Sequence, residues 1–216
     1  MSLNRILLYI FLCNINLIAY SITIMIDPLG DAKYTGCEIE DTFERSLTLQ
    51  CAQRLKQIIE ETFSNTKVVI TRNAGDTIQQ LQNASYANRI NPDLYICLSF
   101  YHQKSIPGHI AIFYYLENSI DTQHAYNPLH FYHVSQAYLK NVASSKQFAL
   151  KAAAVLKQKS INPHFLCIGT FGIPCMPLFG IQPPALFIQA GLAHKNNWKY
   201  LIDPIIEVIN TSLMRN

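Results

Sequence analysis

The side chains able to do chemistry fall into a few groups. Asp31, Glu38, Glu40 and Glu44 crowd one short stretch, with Cys37 among them. His102 follows an apolar run, and His124, His130 and His133 gather further along. Carboxylates and imidazoles are ligand types that zinc accepts. His130 and His133 have a spacing that would let them share one metal from a single helical turn. Against this, loop carboxylates and lone loop histidines are ordinarily solvated. An acid near a helix start, as Glu44 is, is favoured by the helix dipole alone, by about 0.3–1 kcal/mol. Ser99 has no assigned base. No Gly-x-x-x-x-Gly-Lys run is present to cradle a phosphate, and no two cysteines form a C-x-x-C pair.

The elements that would position these residues are legible from pattern. Ser21 to Asp27 is a β-branched apolar run ending in Asp27-Pro28 and then Gly30, which predicts a strand feeding a turn. Leu47, Cys51, Leu55, Ile58 and Ile59 recur at helical spacing within 43–63. Strands are predicted at 67–71, 93–100, 108–116 and 184–190, and helices at 77–88, 144–158 and 201–214. The 93–100 run is apolar on both faces, as a central parallel strand is. The 118–132 stretch reads as a loop, and so does 165–180, with its three glycines and two prolines read as breakers. Strands alternating with helices predict an α/β fold, a mostly parallel central sheet with helices on both faces, in a single domain.

Composition bounds the function. Half of the 216 residues are hydrophobic and 14% are charged, which is enough to bury a full core. The net charge of +3 is spread singly, with no basic stripe interleaved with aromatics, so nucleic acid is excluded as a partner class. Residues 1–21 stand apart. Arg5 is their one charge, Ile6 to Ala19 is mostly apolar, and Ala19-Tyr20-Ser21 offers small residues at a cleavage spacing. This predicts a signal peptide over 1–21, with an uncleaved anchor as the alternative, and export to the periplasm or cell envelope. Cleavage would remove Cys13 and leave five cysteines, so no even disulfide framework follows. Cys51 and Cys97 read as buried thiols, and Cys167 and Cys175 are able to pair.

Six pieces in order carry a family resemblance. They are Ile26-Asp27-Pro28-Leu29-Gly30-Asp31-Ala32, the helix opening Glu44-Arg45-Ser46-Leu47, and the strand Val68-Val69-Ile70-Thr71-Arg72. They continue with Ala87-Asn88 followed by Asp93-Leu94-Tyr95-Ile96, the strand Gly108 to Leu116, and Pro184 to Gly191. Over residues 22–214 the chain resembles the zinc-dependent N-acetylmuramoyl-L-alanine amidases that hydrolyse bacterial cell walls. The resemblance implies an amidase-like domain over 22–216, a zinc cofactor, and peptidoglycan or its fragments as the partner.

In the resembled family a His, a Glu and a second His hold zinc, and another Glu takes the proton of the attacking water. Zinc lowers the pKa of bound water to about 7 and polarises the amide carbonyl. By the resemblance, Glu44 retains the Glu ligand. Gly30 and Ser99 stand where the two His ligands belong, and Gln189 stands where the general base belongs. A carboxamide takes no proton. No histidine precedes His102, so the first ligand has not slipped within its loop. The expectation is therefore a catalytically degenerate relative without zinc that acts by binding. Two alternatives remain: an active amidase with a rearranged site, for which Asp31 and His102 are possible substitute ligands beside Glu44, or an envelope α/β interaction module unrelated to hydrolysis. Arg72 is expected to serve the fold.

Overall fold

The computed structural model describes residues 21–79, 81–117 and 133–214. His124, His130, the loop expected over 118–132 and nearly all of the proposed signal peptide lie outside the described residues. No helix among the described residues is long and apolar enough to cross a membrane.

A six-stranded sheet forms the centre. Its strands are β1 (Ile22–Pro28), β4 (Thr66–Ile70), β5 (Leu94–His102), β6 (Gly108–Tyr115), β7 (Phe165–Ile173) and β8 (Ala185–Leu192). They lie in the order β4-β1-β5-β8-β6-β7, and every pair is parallel except β6 with β8. A separate hairpin, β2 (Glu38–Ile39) and β3 (Thr42–Phe43), leads into α1 (Glu44–Thr62). The other α-helices among the described residues are α2 (Gln82–Ile90), α3 (Val142–Leu156) and α4 (Ile202–Ile209).

The two-residue period of the strands divides the core. Ile24, Ile26, Ile96, Leu98 and Ile188 face α1, α3 and α4, where Leu47, Cys51, Leu55 and Ile59 form the buried stripe of α1. Met25, Tyr95, Cys97 and Phe187 face the opposite layer, built by Ala84 and Ala87 of α2 with Leu139 and Leu178 from two short 3-10 turns. Helices thus cover both faces of one mostly parallel sheet in a single domain. Cys51 and Cys97 are buried free thiols. Cys167 and Cys175 are also free, and they are buried in clusters on opposite faces of the sheet.

Two elements depart from expectation. The 165–180 stretch is not a loop: its first half is the edge strand β7, parallel to β6. The glycines that suggested a breaker have local duties in that strand. Gly169, at φ +135°, sits where the register with β6 shifts between Ile110 and Ala111, a bulge that favours glycine. Gly172 lies against the Tyr114 ring, where a Cβ would stand 2.6 Å from the hydroxyl. The second departure is α2, which begins at Gln82 rather than 77. The preceding residues are spent on tertiary bonds: the Ile78 amide donates to Asp31 Oδ2 at 2.8 Å, and the Ala32 amide to the Asp76 carbonyl at 2.9 Å.

One buried carboxylate ties the end of β1 to its neighbours. Asp27 accepts from Thr71 Oγ1 (2.6 Å), Asn83 Nδ2 (2.9 Å) and the Tyr95 hydroxyl (2.6 Å). A hydrogen bond to a charged group contributes about 1.5–3 kcal/mol. Tyr95→Phe is therefore expected to lower unfolding stability by about 1.5–3 kcal/mol, read from urea denaturation midpoints at unchanged slope.

Candidate functional site

The site lies where the carboxyl ends of β1, β5 and β8 meet the start of α1, the usual position for ligands in open α/β sheets. The chain leaves β1 through Leu29, whose amide donates to the Leu98 carbonyl at 2.9 Å, and folds back over α1. Thr48 Oγ1 holds this turn by donating to the Leu29 carbonyl at 2.8 Å. The segment then delivers Glu44 into the first turn of α1, inside rather than outside the protein: Glu44 is only 4% exposed.

A carboxylate at that depth needs compensation, and three donors supply it. The Ser99 hydroxyl donates to Glu44 Oε1 at 2.7 Å, and the Phe100 amide donates to the same oxygen at 2.9 Å. The Cys37 amide donates to Oε2 at 3.2 Å. Gly36 closes the remaining side so tightly that a Cβ there would overlap the carboxylate. Ser99, where the resemblance puts a metal-binding His, is thus the neighbour that satisfies the retained Glu.

The other positions are equally constrained. Gly30 has φ +87°, and a Cβ on it would come within 2.9 Å of Arg45 Cβ and 3.1 Å of its Cα. This backbone has no room for an imidazole at position 30. Gln189 is half-buried on β8, in register with Ser99 on one side and Ala111 on the other. It faces a pocket of about 290 Å3 that it lines with Tyr101, Ala111, Phe113, Phe171 and Ile173. Phe113 links Phe171 and Phe187, with ring centroids 5.5 and 5.4 Å away, so the pocket has an aromatic wall.

Asp31 is buried, but as an organiser of its own loop. Its Oδ1 accepts from the amides of Lys33 (2.7 Å) and Tyr34 (2.6 Å), and its Oδ2 from Ile78. Burial pushes its carboxyl up, yet these amides and the charge of Arg72 outweigh it and hold the group below the usual carboxylate range. His102 is exposed at the end of β5. Arg72 is buried and braces the fold, donating through Nε to the Pro28 carbonyl (2.9 Å) and through a terminal nitrogen to the Arg45 carbonyl (2.7 Å). His133 caps a short 3-10 turn through Ser135. Glu40 pairs with His194 at 2.9 Å, and Asp41 with Lys195 at 2.7 Å, so the β2–β3 hairpin is clamped to the segment that follows β8.

Among the described residues no three His, Cys, Asp or Glu side chains converge as a metal-binding group, so Asp31, Glu44 and His102 are not assembled into one. A zinc ion needs about three protein ligands. Here the matching positions offer one carboxylate already engaged by three donors, a hydroxyl turned toward that carboxylate, a glycine without space, and a carboxamide. That donor set does not fit zinc. Sequence reading missed the roles of Gly36 and Ser99 and the aromatic pocket. The alternation of β6, with Ala111, Phe113 and Tyr115 on one face, was the available signal for the pocket.

Solved N-acetylmuramoyl-L-alanine amidases share this architecture. An N-acetylmuramoyl-L-alanine amidase from Clostridium difficile 630 superposes with a TM-score of 0.63 at 18% identity, covering 90% of this chain and 95% of that one. The CwlD amidase from Clostridioides difficile, solved in complex with the GerS lipoprotein, gives 0.62 at 13% identity over 90% and 98%. An amidase from Nostoc punctiforme gives 0.60 at 14% over 90% and 96%. The chain has the amidase fold. No family model matches the sequence, and no curated protein does.

Three substitutions test this geometry. Ser99→Ala removes one of three donors to a buried carboxylate and is expected to destabilise by about 1.5–3 kcal/mol. Glu44→Ala strands all three donors and should cost more, at least about 3 kcal/mol, both read by denaturant unfolding. For Asp31 the folded pKa lies below the unfolded value of about 3.9. Its stabilisation is therefore complete above that pH and fades as pH falls through the lower folded value. Asp31→Asn should be less stable than the native chain at pH 7, with the gap narrowing below about pH 3.9; a gap independent of pH would contradict this assignment.

Proposed function

We infer that this chain is an exported, amidase-like protein of peptidoglycan metabolism that has given up zinc and turnover and acts by binding cell-wall fragments. The observation that carries this reading is the Glu44 carboxylate, filled by Ser99, Phe100 and Cys37 where an active enzyme would present it to a metal. Without a metal-activated water, and with Gln189 unable to take a proton, amide hydrolysis has neither nucleophile nor base. Binding needs neither. The pocket beside Gln189 pairs aromatic rings, suited to the C–H faces of a sugar, with a carboxamide that can both donate to and accept from an amide. Export rests on the charge and apolar pattern of residues 1–21 and on the cell-wall chemistry named for the amidases of this fold.

Co-sedimentation with insoluble peptidoglycan tests the reading. The purified protein is expected to pellet with the wall material and to release no new N-terminal alanine from it, with or without added zinc. Phe113→Ala and Gln189→Ala should each weaken binding by about tenfold, a loss of about 1.4 kcal/mol. Failure to pellet would sink the binding role, and chelator-sensitive release of alanine termini would show an active hydrolase instead.

A further inference from the structure

An open sheet has two edge strands, and each presents a row of unpaired backbone groups to any extended chain that reaches it. Here the edges are β4 and β7, and they are built differently. The outer edge of β4 is blocked by α1: the Val68 amide donates to Glu60 Oε1 at 2.9 Å, and Lys56 Nζ donates to the Val68 carbonyl. Lys67 adds an exposed charge to that strand. Nothing comparable protects β7. Its nine residues, Phe165 to Ile173, carry no charge, and β6 pairs with one side of it only. Among the described residues, no side chain from another element bonds to its backbone between Leu166 and Gly172.

This edge is also apolar toward solvent. Phe165 and Cys167 enter the core on the α1 and α3 side of the sheet, so Leu166 faces the other way. The bulge at Gly169 resets the alternation. Phe171 is therefore aligned with Phe113, and Ile173 with Tyr115, on the face opposite α1. Ile168 lines one pocket with Phe113, Phe171 and Ile173, which puts it on that face as well. Leu166 and Ile168 are 52% exposed, and Phe171 and Ile173 are 42% exposed. Four large apolar side chains thus stand in a row along an unpaired edge.

We propose that β7 pairs antiparallel with β7 of a second copy of this chain, joining the two sheets edge to edge across a twofold axis between Gly169 and Thr170. In that register Leu166 stands opposite Ile173 of the second copy, and Ile168 opposite Phe171. Residues opposite each other in an antiparallel pair share a face. In an uninterrupted strand Leu166 and Ile173, seven residues apart, would lie on opposite faces. The bulge brings them onto one face, so the row of apolar side chains is self-complementary, as a twofold interface requires. Each of these side chains leaves roughly 100 Å2 uncovered, so the two copies bring together about 800 Å2 of apolar side chain. The strand backbones and Met176, 71% exposed just beyond β7, carry the contact toward the ~1,200 Å2 at which stable interfaces begin. The dimer is therefore a weak one, in the micromolar range. Ile168, Phe171 and Ile173 also line the pocket beside Gln189, so the seam runs along that pocket. The pairing itself does not depend on the cell-wall reading.

Sedimentation velocity of the purified protein, over a range of micromolar concentrations and without cell-wall material, tests the proposal. A reversible monomer–dimer equilibrium is expected, ending at the dimer because a twofold contact closes on itself. Leu166→Lys puts a charge into the seam and should weaken association by about tenfold or more. The double variant Leu166→Lys with Ile173→Glu sets each lysine opposite a glutamate of the other copy. It should associate more tightly than Leu166→Lys alone, a recovery that a variant damaged only in its own fold would not show. A monomer at every concentration, growth past the dimer, unchanged association in Leu166→Lys, or no recovery in the double variant would each overturn the proposal.

Discussion

The docking of α1 at the carboxyl end of this sheet depends on one buried carboxylate. Glu44 enters the protein at the first turn of α1, and its charge has to be met there or the helix start cannot dock on β5. The Ser99 hydroxyl and the amides of Phe100 and Cys37 meet it with hydrogen bonds. The same bonds that keep the fold closed engage the carboxylate that, in the function proposed above, no longer serves a metal.

The loop from 29 to 37 shows how the surrounding structure has settled on this solution. Gly30 packs against the backbone of Arg45, Gly36 packs against Glu44, and Asp31 spends both oxygens on backbone amides. Thr48 and Arg72 then hold the loop from beneath by bonding to main-chain carbonyls. Placing a histidine at position 30 would require the loop and the start of α1 to separate, not merely a change of side chain. The pocket beside Gln189 is untouched by this closure, because its walls come from β5, β6, β7 and β8. The proposed loss of hydrolytic chemistry and the retention of a ligand-sized recess are compatible in one fold, since function resides in sites and not in the architecture.

Much of the architecture was legible because its elements are strongly periodic. The α1 stripe of Leu47, Cys51, Leu55 and Ile59 and the apolar run of β5 announce a helix and a central strand directly. β7 was not legible because its glycines, read as breakers, serve a bulge at Gly169 and a close ring contact at Gly172, both of which depend on the neighbouring strand β6. The late start of α2 escaped for a similar reason: Ile78 is claimed by Asp31, 47 residues earlier. At the candidate site, the residue types at Gly30, Glu44, Ser99 and Gln189 were readable by resemblance. That Ser99 donates to Glu44 was not readable, since the contact spans 55 residues and is set by how α1 docks on β5.

Zinc content most directly tests the claim that Glu44 is satisfied by hydrogen bonds and not by metal. The purified protein, equilibrated with excess zinc, freed of unbound ion and measured by elemental analysis, is predicted to carry zinc only at background level, in the native chain and in Glu44→Ala alike. About one zinc per native chain, lost in Glu44→Ala, would show that the carboxylate remains a metal ligand and would contradict the account.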